Sequence, residues 1–148
     1  MALADDYLRA AIQQARKSLS EGGIPIGSVL VHDGQIIGSG HNCRVQSGSA
    51  IDHGEMNCLR YAGRLPASVY RNSTIYSTLS PCPMCSGAIV LYKIPRVVVG
   101  ENKTFLGAED YMRSQGVHVD VVQDTECIQM MTDFIRANPA LWNEDIGV

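Results

Sequence analysis

Two short motifs place three metal-binding side chains on segments that only a folded chain can bring together. The first is His53-Gly54-Glu55 and the second is Pro81-Cys82-Pro83-Met84-Cys85. One imidazole and two thiolates suit Zn²⁺, but a closed structural zinc site needs a fourth protein ligand. A catalytic zinc site leaves that position to water and keeps a carboxylate nearby to move protons. The two motifs therefore predict a zinc hydrolase whose ligands are His53, Cys82 and Cys85.

Simpler explanations exist for each motif taken alone. Two cysteines three residues apart can be core residues, and a histidine can lie on the surface. A closed structural site could take His41, Cys58 or Cys127 as its fourth ligand. Under these explanations Glu55 would do no more than compensate a helix dipole. We expect instead that Glu55 takes a proton from the attacking water and hands it to the leaving nitrogen.

Local sequence places both motifs at the starts of helices. One helix is predicted over residues 53–61. Ser80 as N-cap and Pro81 at the first helical position predict a second helix over residues 82–92. At a helix start the dipole lowers the pKa of a thiol and favours the metal-binding thiolate. The second helix is apolar nearly all round, which predicts burial on several sides.

The remaining pattern alternates strands and helices. Asp33-Gly34 is a two-residue hairpin signal between two apolar runs. Residues 43–52 are predicted to form a loop, and residues 141–148 a C-terminal segment. Strands are predicted over 26–32, 35–40, 73–79, 96–100 and 117–121, and further helices over 7–21, 107–115 and 124–137. This order predicts one α/β domain over residues 1–148, with helices on both faces of a sheet.

Charge and cysteine content restrict the partners and the compartment. The net charge of −3 does not favour nucleic acid, which selects basic surfaces. No apolar stretch approaches the roughly 18 residues that a membrane span needs. Five cysteines without an apparent signal peptide indicate reduced thiols or metal binding, so the expected compartment is the cytoplasm.

The order His-x-Glu followed by Pro-Cys-x-x-Cys resembles the zinc nucleobase deaminases. Beyond these motifs, nearly the whole chain resembles the fungal-type cytosine deaminases of the cytidine and deoxycytidylate deaminase superfamily. Glu144-Asp145-Ile146-Gly147 is especially specific, because general deaminase motifs do not include it. Other similar stretches are Gly22-Gly23-Ile24-Pro25-Ile26-Gly27, Gly40-His41-Asn42, Gly48-Ser49-Ala50, Thr78-Leu79-Ser80-Pro81-Cys82, Gly87-Ala88-Ile89, Ile94-Pro95-Arg96 and Val99-Gly100-Glu101-Asn102.

The resemblance implies a fold, a reaction and a set of site residues. The fold is a three-layer α/β/α arrangement around a mixed five-stranded sheet, assembled as a homodimer with one zinc ion per subunit. The reaction is the hydrolytic deamination of free cytosine to uracil and ammonia, with zinc-bound hydroxide attacking C4 and Glu55 as proton shuttle. The implied substrate contacts are Asn42 on the pyrimidine edge, Asp145 on the amino group, the main chain of Gly54 and Ser80, and a lid made by Phe105 and Trp142.

The residues themselves leave several alternatives open. Asn42 could be a turn residue, Asp145 a solvated carboxylate and Trp142 an anchor for the C-terminus. The same chemistry on guanine, isocytosine, creatinine or a pterin also fits, because Pro83 and Asn143 depart from the fungal pattern beside the pocket. A tRNA adenosine deaminase shares the metal motif but needs a basic surface for its RNA. A binding module with a structural zinc ion predicts that Glu55→Gln has no effect.

Overall fold

The predicted alternation of helices and strands is confirmed by the structure, a computed structural model that describes residues 4–148. The elements are α1 (Ala4–Ser20), β1 (Gly27–His32), β2 (Gln35–His41), α2 (Arg44–Ser47), α3 (Gly54–Ala62), α4 (Ala67–Arg71), β3 (Ser73–Ser77), α5 (Pro83–Leu91), β4 (Arg96–Val99), α6 (Glu109–Ser114), β5 (His118–Val121), α7 (Thr125–Ala137) and α8 (Pro139–Asp145). None of the helices in this range is both long and apolar enough to cross a membrane.

The five strands form one mixed sheet in the order β2-β1-β3-β4-β5. Strand β1 pairs antiparallel with both β2 and β3, whereas β3, β4 and β5 run parallel. The predicted hairpin joins β1 to β2, and Asp33 and Gly34 adopt φ angles of 50° and 74°. Positive φ at both central residues is the tight turn that matches the twist of paired strands.

Helices cover both faces of the sheet because neighbouring strand residues point to opposite sides. Val29 and Val98 face a cluster that includes buried residues of α1 and α7. Leu30, Val97 and Val99 face a second cluster, with buried residues of α3, α5 and α6. The three-layer α/β/α arrangement is therefore confirmed. A third cluster, at one end of the sheet, joins Ile24, Ile26, Leu79, Met131, Phe134 and Trp142.

The predicted start of the second motif's helix is wrong by two residues. Helix α5 has Cys82 as its N-cap and Pro83 at its first position, instead of Ser80 and Pro81. The Ser80 hydroxyl is used elsewhere, because it accepts from the N–H of Gly107 at 2.9 Å and donates to the carboxylate of Glu109, on α6, at 2.6 Å. The chain thus stays extended until Cys82, whose Sγ lies 3.5 Å from the backbone nitrogen of Cys85.

Three short helices replace segments that were predicted as irregular or left unassigned. Helix α2 lies inside the predicted loop of residues 43–52, α4 precedes β3, and α8 forms most of the predicted C-terminal segment. The predicted burial of α5 is also wrong for its last turn, because Leu91 is 68% exposed and the following Tyr92 is 46% exposed. In a single copy of the chain these side chains face solvent.

Candidate active site

Two helix starts bring the predicted metal ligands to one point. His53 is the N-cap of α3, while Cys82 is the N-cap of α5 and Cys85 lies one turn further on. One ligand atom from each of the three lies within 4.8 Å of the other two. The Cys82 Sγ is 3.5 Å from Nδ1 of His53. A nitrogen and two sulfurs in this arrangement fit the ligand preference of Zn²⁺.

The three metal-binding side chains shift one another's pKa values. Hydrogen bonds from Cys85 and His53 lower the pKa of Cys82 to about 4. The same pairing, together with burial, raises the pKa of Cys85 well above that of a free thiol. The pKa of His53 is raised despite its burial, because it hydrogen-bonds Cys82 and faces Asp145. The lowered pKa of Cys82 favours the thiolate, which is the form of cysteine that binds metal.

The fourth protein ligand of a closed structural site is missing from the described residues. The ring nitrogens of His41 lie 3.0 Å from Gln14 Oε1 and 2.9 Å from Glu21 Oε1. Burial raises the pKa of Cys58 to about 12. Burial also raises the pKa of Cys127. None of these three joins the cluster within residues 4–148, so the centre has the three protein ligands that a catalytic zinc site uses.

Glu55 is a buried carboxyl group beside the three ligands. The side chain lies in the first turn of α3 and lines the same cavity as His53 and Cys82. Burial and the nearby Cys82 thiolate raise the pKa of Glu55 to about 7. A group that titrates near neutral pH both accepts and donates protons readily, which is the property of a general acid–base catalyst.

A buried carboxylate lines the cavity, and a buried amide lies directly behind it. Asn42 Nδ2 donates to Asp145 Oδ1 at 2.8 Å, although the two residues are 103 positions apart. The backbone N–H of Arg44 donates to Asn42 Oδ1 at 3.1 Å and so fixes which way the amide faces. Asp145 Oδ1 also lies 3.5 Å from Nε2 of His53. Burial raises the pKa of Asp145.

Apolar side chains line the cavity beside the metal ligands. Phe105 and Trp142 meet edge to face, with ring centroids 5.7 Å apart. The cavity volume is about 10 Å³, which is room for about one water molecule. The lining residues are Ile26, His53, Glu55, Leu79, Ser80, Cys82, Phe105, Trp142, Asp145 and Ile146.

The structure brings all the sequence-predicted site residues together, and it adds three. Seven of them line the cavity, Cys85 completes the ligand cluster, Asn42 binds Asp145, and Gly54 packs against Ile26. Ile26, Leu79 and Ile146 were missed because an apolar lining residue looks like any core residue in a sequence. The one available signal was their position inside the stretches that carry the family resemblance.

This combination of an α/β/α fold, a three-ligand centre and a buried carboxyl group defines a zinc-dependent hydrolase. The model of the cytidine and deoxycytidylate deaminase zinc-binding region matches residues 1–101. The protein belongs to this family and is a zinc-dependent hydrolytic deaminase.

Individual relatives agree with this membership. A Candida albicans protein named cytosine deaminase is 55% identical over 141 residues, covering 95% of this chain and 94% of that protein. A tRNA-specific adenosine deaminase of Streptococcus pyogenes is 44% identical over 106 residues, covering 70% of this chain and 66% of its own. A solved structure from a study of tRNA deaminases that edit A to I at the wobble position has a TM-score of 0.69 and 27% identity, covering 85% of this chain and 99% of that chain.

Proposed function

We propose that this protein hydrolyses free cytosine to uracil and ammonia. The observation that carries the proposal is the buried pair Asn42 and Asp145, joined at 2.8 Å and placed beside the metal ligands. An amide supplies a donor and an acceptor, and a carboxylate accepts from an exocyclic amine. A flat apolar slot with a few such polar groups suits a pyrimidine base. The identity to the Candida albicans cytosine deaminase supports the same substrate.

Main-chain groups and aromatic rings complete the proposed base site. Ser80 lines the cavity, and its carbonyl accepts no hydrogen bond from residues 4–148, so it is available to a ring N–H. Gly54 is the first residue of α3, and the first backbone N–H groups of a helix have no partner inside the helix. The N–H of Gly54 can therefore contact the base. Phe105 and Trp142 supply the apolar cover over the ring.

The residues of the centre divide the chemistry between them. His53, Cys82 and Cys85 would hold the zinc ion, which would lower the pKa of water and so supply a nucleophile at neutral pH. Glu55 accepts one proton from the attacking water and delivers it to N3 as the water oxygen bonds to C4. Glu55 then takes the second proton from that oxygen and passes it to the amine, so the bond between C4 and the amine breaks and the products are uracil and ammonia. Asp145 holds the amine and Asn42 holds the pyrimidine edge while this occurs.

We propose that α8 is part of a lid. The cavity volume of about 10 Å³ is far smaller than a pyrimidine ring, so substrate cannot enter the closed form. Trp142, Asp145 and Ile146 belong to α8 or follow it directly, and they close one side of the cavity. Opening this side admits the base, and its slow opening can limit release of the product.

The assembly and the setting are also proposals. We infer one domain over residues 1–148, forming a homodimer in the cytoplasm that recovers pyrimidine bases. An apolar groove of about 560 Å³ lies between α3, α4 and α5. Around it, Ile51, Tyr61 and Leu91 are 56%, 70% and 68% exposed. Sedimentation velocity tests the dimer, and Leu91→Asp is expected to yield monomers because it places a charge in the contact.

A free base suits this site better than a nucleic acid. The net charge of −3 supplies no electrostatic attraction to phosphates, and the closed cavity gives no passage to a polymer. We therefore expect no binding to transfer RNA at physiological salt. Salt-dependent binding to transfer RNA, followed by release of ammonia from it, would favour the activity named for the Streptococcus pyogenes relative.

The test is ammonia release from cytosine by zinc-loaded protein, with Glu55→Gln measured in parallel. Release is expected from the natural protein and from Asp133→Asn, an exposed carboxylate control on α7, but not from Glu55→Gln. Folding and zinc content of all three are checked by circular dichroism and metal analysis. If the natural protein holds one zinc ion and releases no ammonia, cytosine is the wrong substrate. Guanine, isocytosine, creatinine and pterins are then assayed in the same way.

A further inference from the structure

A buried carboxylate holds the loop that carries Phe105, and the proposed reaction does not use it. Glu109 begins α6 and is only 3% exposed. Its Oε2 accepts from the Ser80 hydroxyl at 2.6 Å, and its Oε1 accepts from Asn102 Nδ2 at 3.3 Å. Arg113, one turn further along α6, lies 3.6 Å from the same Oε1. One carboxylate thus joins the wall of the cavity to the loop between β4 and α6.

We propose that Glu109 is a positioning residue that sets the shape of the base site through Ser80 and the loop of residues 100–108. In this role Glu109 determines the affinity for the base, and it leaves the zinc ligands and the proton transfer by Glu55 unchanged. The inference rests on the proposed function, because it assumes that Ser80 and Phe105 contact a base.

Every polar group of Ser80 except its carbonyl has a hydrogen-bond partner among residues 4–148. Its hydroxyl donates to Glu109 and accepts from the N–H of Gly107 at 2.9 Å. Its backbone N–H donates to the carbonyl of Glu101 at 3.0 Å. These three bonds orient the peptide group of Ser80, so the free carbonyl is held in one direction. Such preorganisation removes the cost of orienting an acceptor when a ligand binds.

The loop is pressed against the chain that leads to the metal ligands. A Cβ atom on Gly107 would lie 1.9 Å from the carbonyl oxygen of Pro81, so only glycine fits there. The N–H of Ala108 donates to that same carbonyl at 3.0 Å. Because Gly107 packs tightly against Pro81, a shift of Glu109 or Ser80 moves the loop, and Phe105 moves with it.

A second tether continues the network away from the cavity. Gln123 and Asn102 exchange two hydrogen bonds, at 3.3 Å and 2.6 Å. Gln123 has φ of 58°, a conformation that costs energy for a residue other than glycine and persists where its surroundings fix it. The fully buried Glu101 accepts from the N–H groups of Lys103 and Thr104 at 2.7 Å and 2.9 Å.

Glutamine cannot replace Glu109 without breaking one end of the network. The carboxylate accepts with one oxygen from Ser80 and with the other from Asn102. An amide has one acceptor and one donor group, so Glu109→Gln turns an N–H₂ group toward one of two donors. The buried mismatch displaces either Ser80 or the loop. Leaving a buried polar group without its partner corresponds to a change of about 5- to 150-fold in a binding constant.

The experiment compares Glu109→Gln with Asp124→Asn, a matched buried carboxylate. Asp124 is the N-cap of α7 and its side chain binds Arg9 and the N–H of Cys127, away from the cavity lining. We measure KM and kcat for cytosine, the Kd of pyrimidin-2-one by calorimetry, and zinc content. Glu109→Gln is expected to raise KM and Kd by about 10- to 100-fold, with kcat changed less than about threefold and zinc retained. Asp124→Asn is expected to lower Tm and leave KM unchanged.

Two additional variants keep the inference testable. Ser80→Ala supplies the other half of a double-mutant cycle, and it substitutes for Glu109→Gln if that variant does not fold. Because the two side chains share one hydrogen bond, the double variant is expected to raise KM by less than the product of the two single effects. Additive effects of the two substitutions on KM would overturn the positioning role. The role would also be overturned if Glu109→Gln lowered Tm, as Asp124→Asn does, while KM and Kd stayed normal.

A measurement without substrate separates this inference from the proposed function. Amide hydrogen exchange of residues 101–108 is expected to be faster in Glu109→Gln than in the natural protein or in Asp124→Asn. Faster exchange in a protein that neither deaminates cytosine nor binds pyrimidin-2-one would retain the tether and reject cytosine as substrate. Unchanged exchange in a protein that does deaminate cytosine would reject the tether alone.

Discussion

Asparagine at position 145 should abolish recognition of the amino group while leaving the fold intact. Asp145 Oδ1 accepts from Asn42 Nδ2 at 2.8 Å in a buried setting. In Asp145→Asn the amide oxygen can still accept from Asn42, and the new N–H₂ group then faces the amine of cytosine. Two donors replace a donor and an acceptor, although the volume of the side chain hardly changes.

The expected magnitude follows from the bond that is lost. A hydrogen bond to a charged group contributes about 1.5–3 kcal/mol, which is about 10- to 150-fold in kcat/KM. The opposed donors add a further penalty, so tenfold is the lower bound. Stability should change by less than about 1 kcal/mol, because the replacement is isosteric and keeps the bond to Asn42.

Steady-state kinetics and thermal unfolding test the two halves of this expectation. Zinc-loaded Asp145→Asn is compared with Asp133→Asn, the exposed control on α7, for ammonia release and for Tm. A kcat/KM value within about threefold of the natural protein would refute the role of Asp145, since about 0.7 kcal/mol is too little for a charge-assisted bond. A large loss of Tm would instead mean that Asp145 supports the fold.

Three further expectations concern protons, metal and motion. In zinc-free protein, Glu55 has a pKa of about 7 instead of 4.5, so its ionisation opposes folding increasingly as pH rises through this range. Glu55→Gln should therefore be more stable than the natural protein at pH 8, by on the order of 3 kcal/mol. At pH 4 the two should be equally stable, and urea unfolding measures both differences. Removing zinc should expose the Cys82 thiolate, so iodoacetamide at pH 6 should alkylate Cys82 before Cys85. Added zinc should protect both cysteines, and peptide mass spectrometry measures the alkylation of each. If opening of α8 limits product release, kcat should fall as sucrose raises the viscosity; a kcat that is independent of viscosity contradicts the lid.

The metal centre was predictable because its information is local. His53 and Cys82 are N-caps of their helices, and short motifs determine where such helices begin. The start of α5 was misplaced because the Ser80 hydroxyl bonds Gly107 and Glu109, 27 and 29 positions away. No local pattern reveals these partners, which depend on how α6 packs beside α5.

The closing segment was harder to predict for a related reason. Helix α8 is short and begins with Pro139, and its helical conformation is sustained by packing rather than by propensity. Trp142 belongs to the same buried cluster as Met131 and Phe134 of α7. A sequence shows that Trp142 is unusual in a polar tail, but only the folded chain shows which surface it covers.

If α8 acts as the proposed lid, closure and recognition are a single event. Trp142 and Asp145 share α8, so the helix cannot cover the cavity without also bringing the Asp145 carboxylate to Asn42. Among residues 4–148, Asn42 is the one short hydrogen-bond partner of this carboxylate, and Arg44 lies 4.0 Å away. A base that offers no donor at that position would leave the carboxylate beside His53 with these partners alone, and burying it would cost free energy. The closed state is then favoured when the bound ring carries an amino group there. Selectivity among aminated rings should consequently appear in the rate and stability of lid closure, and hydrogen exchange in α8 should slow with cytosine analogues that keep the amine and not with those that lack it.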